Sequence, residues 1–438
     1  MSRQATPGDQ RGNFDLTHHA PQSILWNTPC RILWVFPIPL IGGGLSEAVL
    51  PKPAAMNFHQ SHLAYCTNIH PAESWEETRH MLQTQVLAVR DLLRTQGLLG
   101  ADAPFAIGLR LPALAARELL ANDHLVRFRD WLAATNTYVF TINGFPYGSF
   151  HGTRVKERVF QPDWSERARL DYTMDLFRIL AAVARPDTGA SVSTLPGSHK
   201  SFHADEARIR ANLLELAQWL DDLADQTGHD FHLGLEPEPL GHFENTAETL
   251  AFFERLHAMP TDPGIIHRRL GLNYDACHFA LEYEDARTAL DALGARQIRI
   301  SKIHLSSALA FDPCDPAAVA AIRAFDEPVY FHQVLVRDRA GTITRFKDLP
   351  DFLAAARIPV PGTEARVHFH IPLDAEPAAP LRSTRDHTRA VLAWHRDHPE
   401  ACRHYEIETY TWAVLPAALQ RPVAKQLAGE YQWALANG

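Results

Sequence analysis

The segment Phe231-His-Leu-Gly-Leu-Glu-Pro-Glu238 gives the clearest indication of the architecture, because it places an acid directly after a short apolar run. The pattern recurs in Gly271-Leu-Asn-Tyr-Asp-Ala-Cys-His278, Ile298-Arg-Ile-Ser-Lys-Ile-His304 and Tyr405-Glu-Ile-Glu408. Apolar runs of this length are typical of buried strands, and parallel strands bring their carboxyl ends to one face of a barrel. The repetition, at spacings that fit strand–helix units, predicts an α/β fold, a (β/α)8 TIM barrel with a metal site at its mouth.

Outward from these segments, strand-length apolar runs alternate with helical patterns from Met56 onward. The alternation breaks at about residues 306–380, which we interpret as an insertion after strand seven. Within it, Val329–Val336 and Thr342–Phe346 predict a hairpin joined across Gly341. The strand that carries His368 and His370 follows, and strand eight is predicted at His404–Tyr410.

The composition fits one large globular domain, since 46% of the 438 residues are hydrophobic and 21% are charged. We expect residues 56–438 to form the single barrel domain. Residues 1–55 are rich in turn-formers, and their apolar patch, Ile32–Ile41, is too short to span a membrane. This segment is expected to be a disordered extension or to precede the true start at Met56. The second interpretation is favoured, because barrel-like order begins directly after Met56.

The overall charge and the cysteine pattern limit the kinds of partner and the cellular location that we expect. A net charge of −9 argues against a broad nucleic-acid-binding surface, and no apolar run is long enough to span a bilayer. The five cysteines form no CxxC pair, which suits reduced thiols. We therefore expect a cytoplasmic protein whose partner is a small-molecule metabolite.

Four strand-end residues are the predicted metal ligands: Glu236, Asp275, His304 and Glu408. Three carboxylates and one imidazole suit Mn²⁺, Mg²⁺, Zn²⁺, Fe²⁺ or Co²⁺ and do not select one of them. Glu406 shares a strand face with Glu408, which is preferred as the ligand because it lies nearer the strand end. Lys302 shares a face with His304, and either an interior ion pair or a catalytic role is open to it.

Further polar residues follow the strands and are predicted substrate contacts: His70, Asn143, His151, His278, His368 and His370. His368 and His370 share a strand face, so they could instead bind a second ion. Loop aromatics could line a ligand pocket: Phe145, Tyr147, Phe150, Tyr410 and Trp412.

With these residues the chain resembles the xylose isomerase-like TIM-barrel superfamily, which includes sugar epimerases, sugar-phosphate isomerases and endonuclease IV. Tyr65-Cys-Thr-Asn-Ile-His-Pro-Ala-Glu-Ser-Trp75, Gly108-Leu-Arg-Leu111, Tyr138-Val-Phe-Thr-Ile-Asn-Gly-Phe-Pro-Tyr-Gly148 and Ser193-Thr-Leu-Pro196 resemble the EboE-type metabolite traffic proteins. That resemblance covers about Met56 to Pro416. It implies partners from a neighbouring gene set that makes or moves a secondary-metabolite precursor, and it implies no particular reaction.

The leading functional hypothesis is a metal-dependent isomerase or epimerase that acts on a small oxygen-rich or aromatic metabolite. Glu236 and Glu408 would be its catalytic residues, as general base and general acid. One alternative is a phosphoesterase-like hydrolase that uses a second ion at His368 and His370. The other alternative is a non-catalytic metabolite carrier with an aromatic pocket.

Overall fold

A computed structural model describes residues 58, 60–149, 151, 156–355 and 363–438. The predicted N-terminal extension, residues 1–55, and Phe150 lie outside the described residues. So does the segment 356–362 within the predicted insertion. In the part of the chain that is described, no helix is long and apolar enough to cross a membrane.

The strands, numbered along the chain, belong to two sheets. They are β1 (His62–Tyr65), β2 (Phe105–Arg110), β3 (Thr137–Asn143), β4 (Ala190–Thr194), β5 (Phe231–Leu235), β6 (Leu270–Asp275), β7 (Arg299–Leu305), β8 (Leu309–Phe311), β9 (Val334–Arg337), β10 (Ile343–Phe346), β11 (Glu364–Val367), β12 (Arg382–Ser383) and β13 (His404–Ile407).

The first sheet is a barrel of eight parallel strands in the order β1-β13-β7-β6-β5-β4-β3-β2. A bridge between Cys66 and Gly108 brings β1 and β2 together and closes the ring. Nearly every barrel-strand residue is buried, as expected for parallel strands with side chains packed inside the barrel and helices outside. The predicted (β/α)8 barrel is therefore confirmed.

The helices cover the outside of the barrel and connect its strands. They are α1 (Trp75–Met81), α2 (Leu87–Thr95), α3 (Ala113–Leu120), α4 (His124–Thr135), α5 (Arg167–Val183), α6 (Glu206–Thr227), α7 (Thr246–His257), α8 (Pro263–Arg269), α9 (Ala276–Leu281), α10 (Ala286–Ala295), α11 (Pro316–Ile322), α12 (Leu349–Ala354), α13 (Arg385–Asp397) and α14 (Val423–Asn437). A π-helical turn, Leu82–Val86, joins α1 to α2.

Local sequence signals set several helix ends. Ser74 and Glu77 form a capping box at the start of α1, and Asp205 caps α6 by accepting a hydrogen bond from Ala207 N. The pattern over Leu114–Ala133 predicts one helix, but the structure has two, α3 and α4. The chain turns between them at Asn122, whose φ of 54° is left-handed, a conformation that asparagine tolerates better than most residues.

The second sheet is antiparallel, in the order β10-β9-β11-β8-β12, and the chain enters it directly after β7. The predicted hairpin is confirmed as β9 and β10, although its first strand begins at Val334 rather than Val329. This sheet has its own apolar cluster, which includes Phe311, Val336 and Phe369. His368 and His370 come directly after β11 and lie beside the carboxyl ends of the barrel strands.

Candidate metal centre at the carboxyl end of the barrel

The four predicted metal ligands come from four adjacent barrel strands. Glu236 follows β5, Asp275 ends β6, His304 lies in β7, and Glu408 follows β13. Asp275 and His304 are direct partners in the β6–β7 register, and Glu408 N donates to Leu305 O at 3.1 Å. The strand order and register therefore bring their side chains together, with ligand atoms all within 4.8 Å of one another.

His304 lies at the centre of this group. Its Nδ1 is 3.1 Å from Glu408 Oε2, 3.2 Å from Glu236 Oε1 and 3.4 Å from Asp275 Oδ2. All four side chains are buried, with no residue more than 5% exposed. The cluster therefore concentrates three carboxylates around one imidazole in a nearly dry environment.

Two carboxylate oxygens in the cluster have unused hydrogen-bonding capacity. Glu236 Oε2 and Asp275 Oδ2 are buried and accept no well-formed hydrogen bond, although His304 Nδ1 lies 3.4 Å from Asp275 Oδ2. The other oxygen of Asp275 accepts from Cys277 N at 2.7 Å, His278 N at 3.1 Å and Ser306 Oγ at 2.7 Å. Unpartnered buried oxygens are costly, and a divalent cation would satisfy them. The residues therefore fit a divalent ion bound through oxygen and nitrogen.

The electrostatics of the cluster favour positive charge at its centre. Burial alone would lower the pKa of His304, but the Glu408 and Glu236 carboxylates raise it well above its usual value. Burial opposes ionisation of Asp275, yet His278, His370 and His304 hold its pKa well below its usual range. Burial raises the pKa of Glu408, and the nearby Glu236 carboxylate adds to that rise, while His304 opposes it.

A second group of possible ligands adjoins the first and is made of three imidazoles and Glu238. His278 Nε2 lies 3.1 Å from His368 Nε2 and 3.3 Å from Glu238 Oε2, while His368 Nε2 lies 3.2 Å from His370 Nε2. Burial raises the pKa of Glu238 to about 8. Burial would lower the pKa of His278, but Asp275 and Glu238 raise it to about 9.

The outer nitrogens of these three rings all face oxygen acceptors. His278 Nδ1 is 2.8 Å from Pro237 O, His368 Nδ1 is 2.7 Å from Gln333 Oε1, and His370 Nδ1 is 3.1 Å from Glu408 O. Each Nδ1 therefore carries the proton in the neutral ring, and each Nε2 presents a lone pair. Three converging lone pairs repel one another unless a proton or a cation lies among them.

A cavity opens above both groups and has an aromatic wall. Phe145, Phe160, Phe331 and Tyr410 line it, together with Lys156, whose ammonium group is paired with Asp348. At the floor of the cavity, the side-chain amides of Asn68 and Asn143 both hydrogen-bond to Glu408. Asn68 Nδ2 donates to Glu408 Oε1 at 2.8 Å, and Asn143 Nδ2 donates to the same oxygen at 3.2 Å. Of the aromatics proposed from sequence, Tyr147 packs instead against Tyr172, and Trp412 packs against the apolar cores.

The predicted substrate contacts divide into two sets. His278, His368 and Asn143 line the cavity, and His370 lies next to His368. His70 and His151 are outside the cavity lining: His70 Nε2 lies 3.0 Å from Tyr65 OH, and His151 Nε2 lies 2.6 Å from Asn68 O. The structure thus gives His151 a position that supports the Asn68 loop, and a substrate contact by either residue stays a prediction.

Glu238 is a prominent residue that the sequence analysis did not assign to the site. The interior ion pair that was one of two possibilities for Lys302 is confirmed, since its Nζ lies 2.5 Å from Glu406 Oε2 inside the barrel. The period-two alternation along the strands was the available signal: Glu238 is two residues after Glu236, and Glu406 is two before Glu408. The alternation predicts on which face of its strand each side chain lies. It does not predict how far along the barrel axis the side chain lies.

No family model and no curated protein matches this chain. Solved structures with a similar fold include an L-ribulose 3-epimerase, at 16% identity and a TM-score of 0.35, covering 56% of this chain and 69% of that one. The probable 3-DHS dehydratase AsbF of Bacillus anthracis is similar at 12% identity and a TM-score of 0.42, covering 85% and 97%. An AP endonuclease of family 2 from Brucella melitensis is similar at 12% identity and a TM-score of 0.32, covering 56% and 78%. Since these similarities are low, the fold assignment rests on the strand topology itself.

Proposed function

We propose that the protein is a divalent-metal-dependent enzyme of the sugar isomerase or epimerase type. Its substrate would be a small metabolite, oxygen-rich or aromatic, with adjacent hydroxyl and carbonyl groups. One observation carries the proposal: the carboxylates of Glu236 and Glu408 both lie against His304 Nδ1, at 3.2 and 3.1 Å, within a buried set that fits a divalent ion.

The residues of the site have distinct roles in this proposal. A bound divalent ion would supply Lewis-acid polarisation of the substrate carbonyl. Glu236 removes the proton from the carbon beside the carbonyl, and Glu408 returns a proton, as general base and general acid. Burial and the Glu236 carboxylate raise the pKa of Glu408, which suits a group that carries a proton.

Neighbouring side chains prepare these groups for proton transfer. Asn68 and Asn143 hold Glu408 Oε1, which leaves Oε2 directed to the centre of the cluster. His278 would hold a substrate oxygen, since it lines the cavity beside Glu238. The aromatic wall of Phe145, Phe160 and Tyr410 would exclude water and accept the apolar side or ring of the metabolite.

The test is proton exchange at carbon in D2O, with Mn²⁺-loaded protein and a panel of ketoses and aromatic hydroxyketones. We expect deuterium to enter one carbon of a substrate with the wild type. Glu236→Gln and Glu408→Gln should each lower the rate by about 10² to 10⁴-fold, the usual contribution of general acid–base catalysis. Glu244→Gln is the matched control, because Glu244 is a buried acid that pairs with Lys200 outside the cavity lining. Full exchange activity in both site variants would exclude this mechanism.

The cellular role follows from the resemblance to EboE-type proteins. We place the enzyme in the biosynthesis or trafficking of a secondary-metabolite precursor, with partners from a neighbouring metabolite-traffic gene set. Co-purification with those partners, followed by exchange assays on the co-purified metabolites, tests this role. Failure to find any partner in cells that make the metabolite would contradict it.

A second candidate function is metal-dependent hydrolysis of a phosphate or similar ester. The observation that favours it is the convergence of His278, His368 and His370, whose Nε2 atoms lie 3.1 and 3.2 Å apart beside the Glu238 carboxylate. A second ion there would activate water.

Metal content per chain, measured by mass spectrometry, separates the candidates. Two ions in the wild type and one in His368→Ala/His370→Ala favour hydrolysis, whereas one ion in both proteins favours the isomerase. Tight ligand binding without a metal would instead favour a carrier.

A further inference from the structure

A charged pair lies inside the barrel, one layer below the metal centre. Lys302 Nζ donates to Glu406 Oε2 at 2.5 Å and to Ser193 Oγ at 2.9 Å. Lys302 and Glu406 are fully buried. An ion pair in the barrel interior adds little stability compared with well-packed apolar side chains, so its presence calls for a further role.

The pair contacts one of the four metal ligands directly. Glu406 and His304 are partners in the β7–β13 register, and His304 Nε2 lies 3.2 Å from Glu406 Oε2. The opposite ring nitrogen, Nδ1, is the one that faces Glu236, Asp275 and Glu408. The two nitrogens of His304 therefore face different carboxylates, one at Nε2 and three at Nδ1, while Asn273 Nδ2 lies 3.2 Å from Nδ1 and 3.4 Å from Nε2.

The other three imidazoles of the site hydrogen-bond through their outer nitrogen to a neutral carbonyl oxygen instead. Carboxylate oxygens lie farther from these nitrogens, at 3.9 Å for His278 and His368 and 3.6 Å for His370. A carboxylate behind a ligating histidine fixes its ring orientation and tautomer and raises its basicity as a ligand. His304 is thus the imidazole of this site that is prepared most strongly for a cation.

The backbone opposite Glu406 leaves room for its carboxylate. A Cβ built on Gly108 would overlap Glu406 Oε1 and would lie 2.7 Å from the backbone oxygen of Tyr65. Gly108 also sits at a register shift between β2 and β3. Glycine at position 108 therefore lets the Glu406 carboxylate lie close to the β2 backbone. This is a further observation on the position of Glu406, in addition to its contacts with Lys302 and His304.

We propose that Glu406 and Lys302 are positioning residues for the metal centre. Glu406 holds the proton of His304 on Nε2, so that the Nδ1 lone pair is offered to the divalent ion, and Lys302 fixes the Glu406 carboxylate in place. The inference rests on the proposed metal-dependent function. It goes further by assigning a tautomer and an outer-shell charge pair to that centre.

The experiment measures the affinity of the full-length protein for Co²⁺ and Zn²⁺ by competition with a chelating dye. We expect Glu406→Gln to weaken the tighter site by about 10- to 100-fold, the range usual for outer-shell partners, without lowering its stoichiometry. Lys302→Gln should weaken binding as well. The double variant should bind no more weakly than the weaker single variant, because both residues act through one carboxylate. Glu244→Gln, which breaks another Lys–Glu pair, should bind as the wild type does.

A spectroscopic reading separates positioning from a purely structural role. In the Zn²⁺-loaded wild type, ¹⁵N-histidine NMR should show His304 protonated at Nε2 and bound through Nδ1, and Glu406→Gln should lose the protected Nε2–H signal. Gly108→Ala keeps every charge, and its Cβ presses on both Glu406 Oε1 and Tyr65 O. It should shift the carboxylate and weaken binding even if Glu406→Gln does not fold, provided that circular dichroism shows the variant to be folded.

The outcomes distinguish this inference from the proposed function. If Asp275→Asn abolishes binding while Glu406→Gln and Gly108→Ala bind as tightly as the wild type, the positioning role is wrong and the metal centre stands. If the wild type binds neither ion, the metal centre itself is wrong, and the inference falls with it.

Discussion

The two ends of the barrel interior both contain buried histidines, yet their surroundings differ. At the carboxyl end, three carboxylates face His304 Nδ1 within 3.4 Å. At the amino end, the ring of His404 packs 5.0 Å from the ring of His232 and 4.8 Å from that of Phe140. His404 hydrogen-bonds to neutral groups there, with Nδ1 2.8 Å from Ser191 Oγ and Nε2 2.9 Å from Thr188 O.

The pKa values of these histidines move in opposite directions. Burial lowers the pKa of His404 to about 3 and that of His62 to about 4. The carboxylates overcome the same burial at His304 and raise its pKa well above its usual value. Burial alone therefore does not set the charge of an imidazole in this barrel. The charge of its neighbours decides the direction in which its pKa moves.

The largest expected effect concerns the carboxyl end. Asp275→Asn keeps an oxygen for the hydrogen bonds from Cys277 N and Ser306 Oγ, but it replaces the unpartnered Oδ2. We expect divalent-metal affinity to fall by more than the roughly 10- to 100-fold that is typical of losing an outer-shell partner. Chelator competition measures the loss. His404→Gln, at the amino end, is the control and should bind metal as the wild type does. A loss of metal from His404→Gln equal to that from Asp275→Asn would contradict the distinction between the two ends.

An intermediate effect concerns the amino end at acid pH. The unfolded chain protonates His404 below about pH 6.5, whereas the folded barrel resists protonation down to about pH 3. As the pH falls from 6.5 towards 3, His404 gains a proton in the unfolded chain but not in the folded barrel. The free energy of unfolding therefore has its full value above pH 6.5 and decreases over this range. The loss amounts to roughly 2 kcal/mol at pH 5.

Urea unfolding of the metal-free protein at pH 8 and pH 5 measures this dependence. His404→Gln should be less stable than the wild type at pH 8, since it loses two buried hydrogen bonds, but it should lose roughly 2 kcal/mol less on acidification. Replacing the exposed His80 by glutamine is the control and should leave the acid dependence unchanged. Equal acid sensitivity in His404→Gln and the wild type would show that His404 is not the acid-sensitive group.

The smallest effect compares one substitution at each end. Ser306→Ala and Ser191→Ala each remove a buried hydroxyl that has two partners. Ser306 Oγ donates to Asp275 Oδ1 at 2.7 Å and accepts from Cys277 N at 2.9 Å, whereas Ser191 Oγ lies 2.8 Å from both Thr141 Oγ1 and His404 Nδ1. Each should lower the free energy of unfolding by about 1 kcal/mol. Only Ser306→Ala should also weaken metal binding, by roughly 10-fold, because it touches a ligand. Identical metal affinities in the two variants would show that the surroundings of Asp275 do not tune the centre.

The sequence was sufficient for the barrel and for the convergence of the four strand-end side chains. Short apolar runs that alternate with helical patterns indicate buried strands, and parallel topology brings their carboxyl ends together, which is why Glu236, Asp275, His304 and Glu408 meet. The alternation along β13 also places Glu406 and Glu408 on the same strand face, which makes these two acids the candidates for the fourth predicted ligand.

The remaining features depend on tertiary packing. The break between α3 and α4 occurs without glycine or proline, at Ala121, Asn122 and Asp123, so no strong breaker marks it. The positions of His70 and His151 follow from the loops after β1 and β3, where hydrogen bonds to Tyr65 and Asn68 decide the direction of each ring. No sequence pattern identifies which ring nitrogen faces the centre.

The antiparallel sheet that follows β7 makes the site a composite of two separately built parts. The barrel strands carry the four predicted metal ligands, whereas this sheet and its connections supply His368, Gln333 and Phe331 to the opposite wall of the cavity. A change in that wall leaves the register of the barrel strands intact. Substitutions in the antiparallel sheet can therefore change which molecules the cavity binds, while the residues at the carboxyl end of the barrel stay the same.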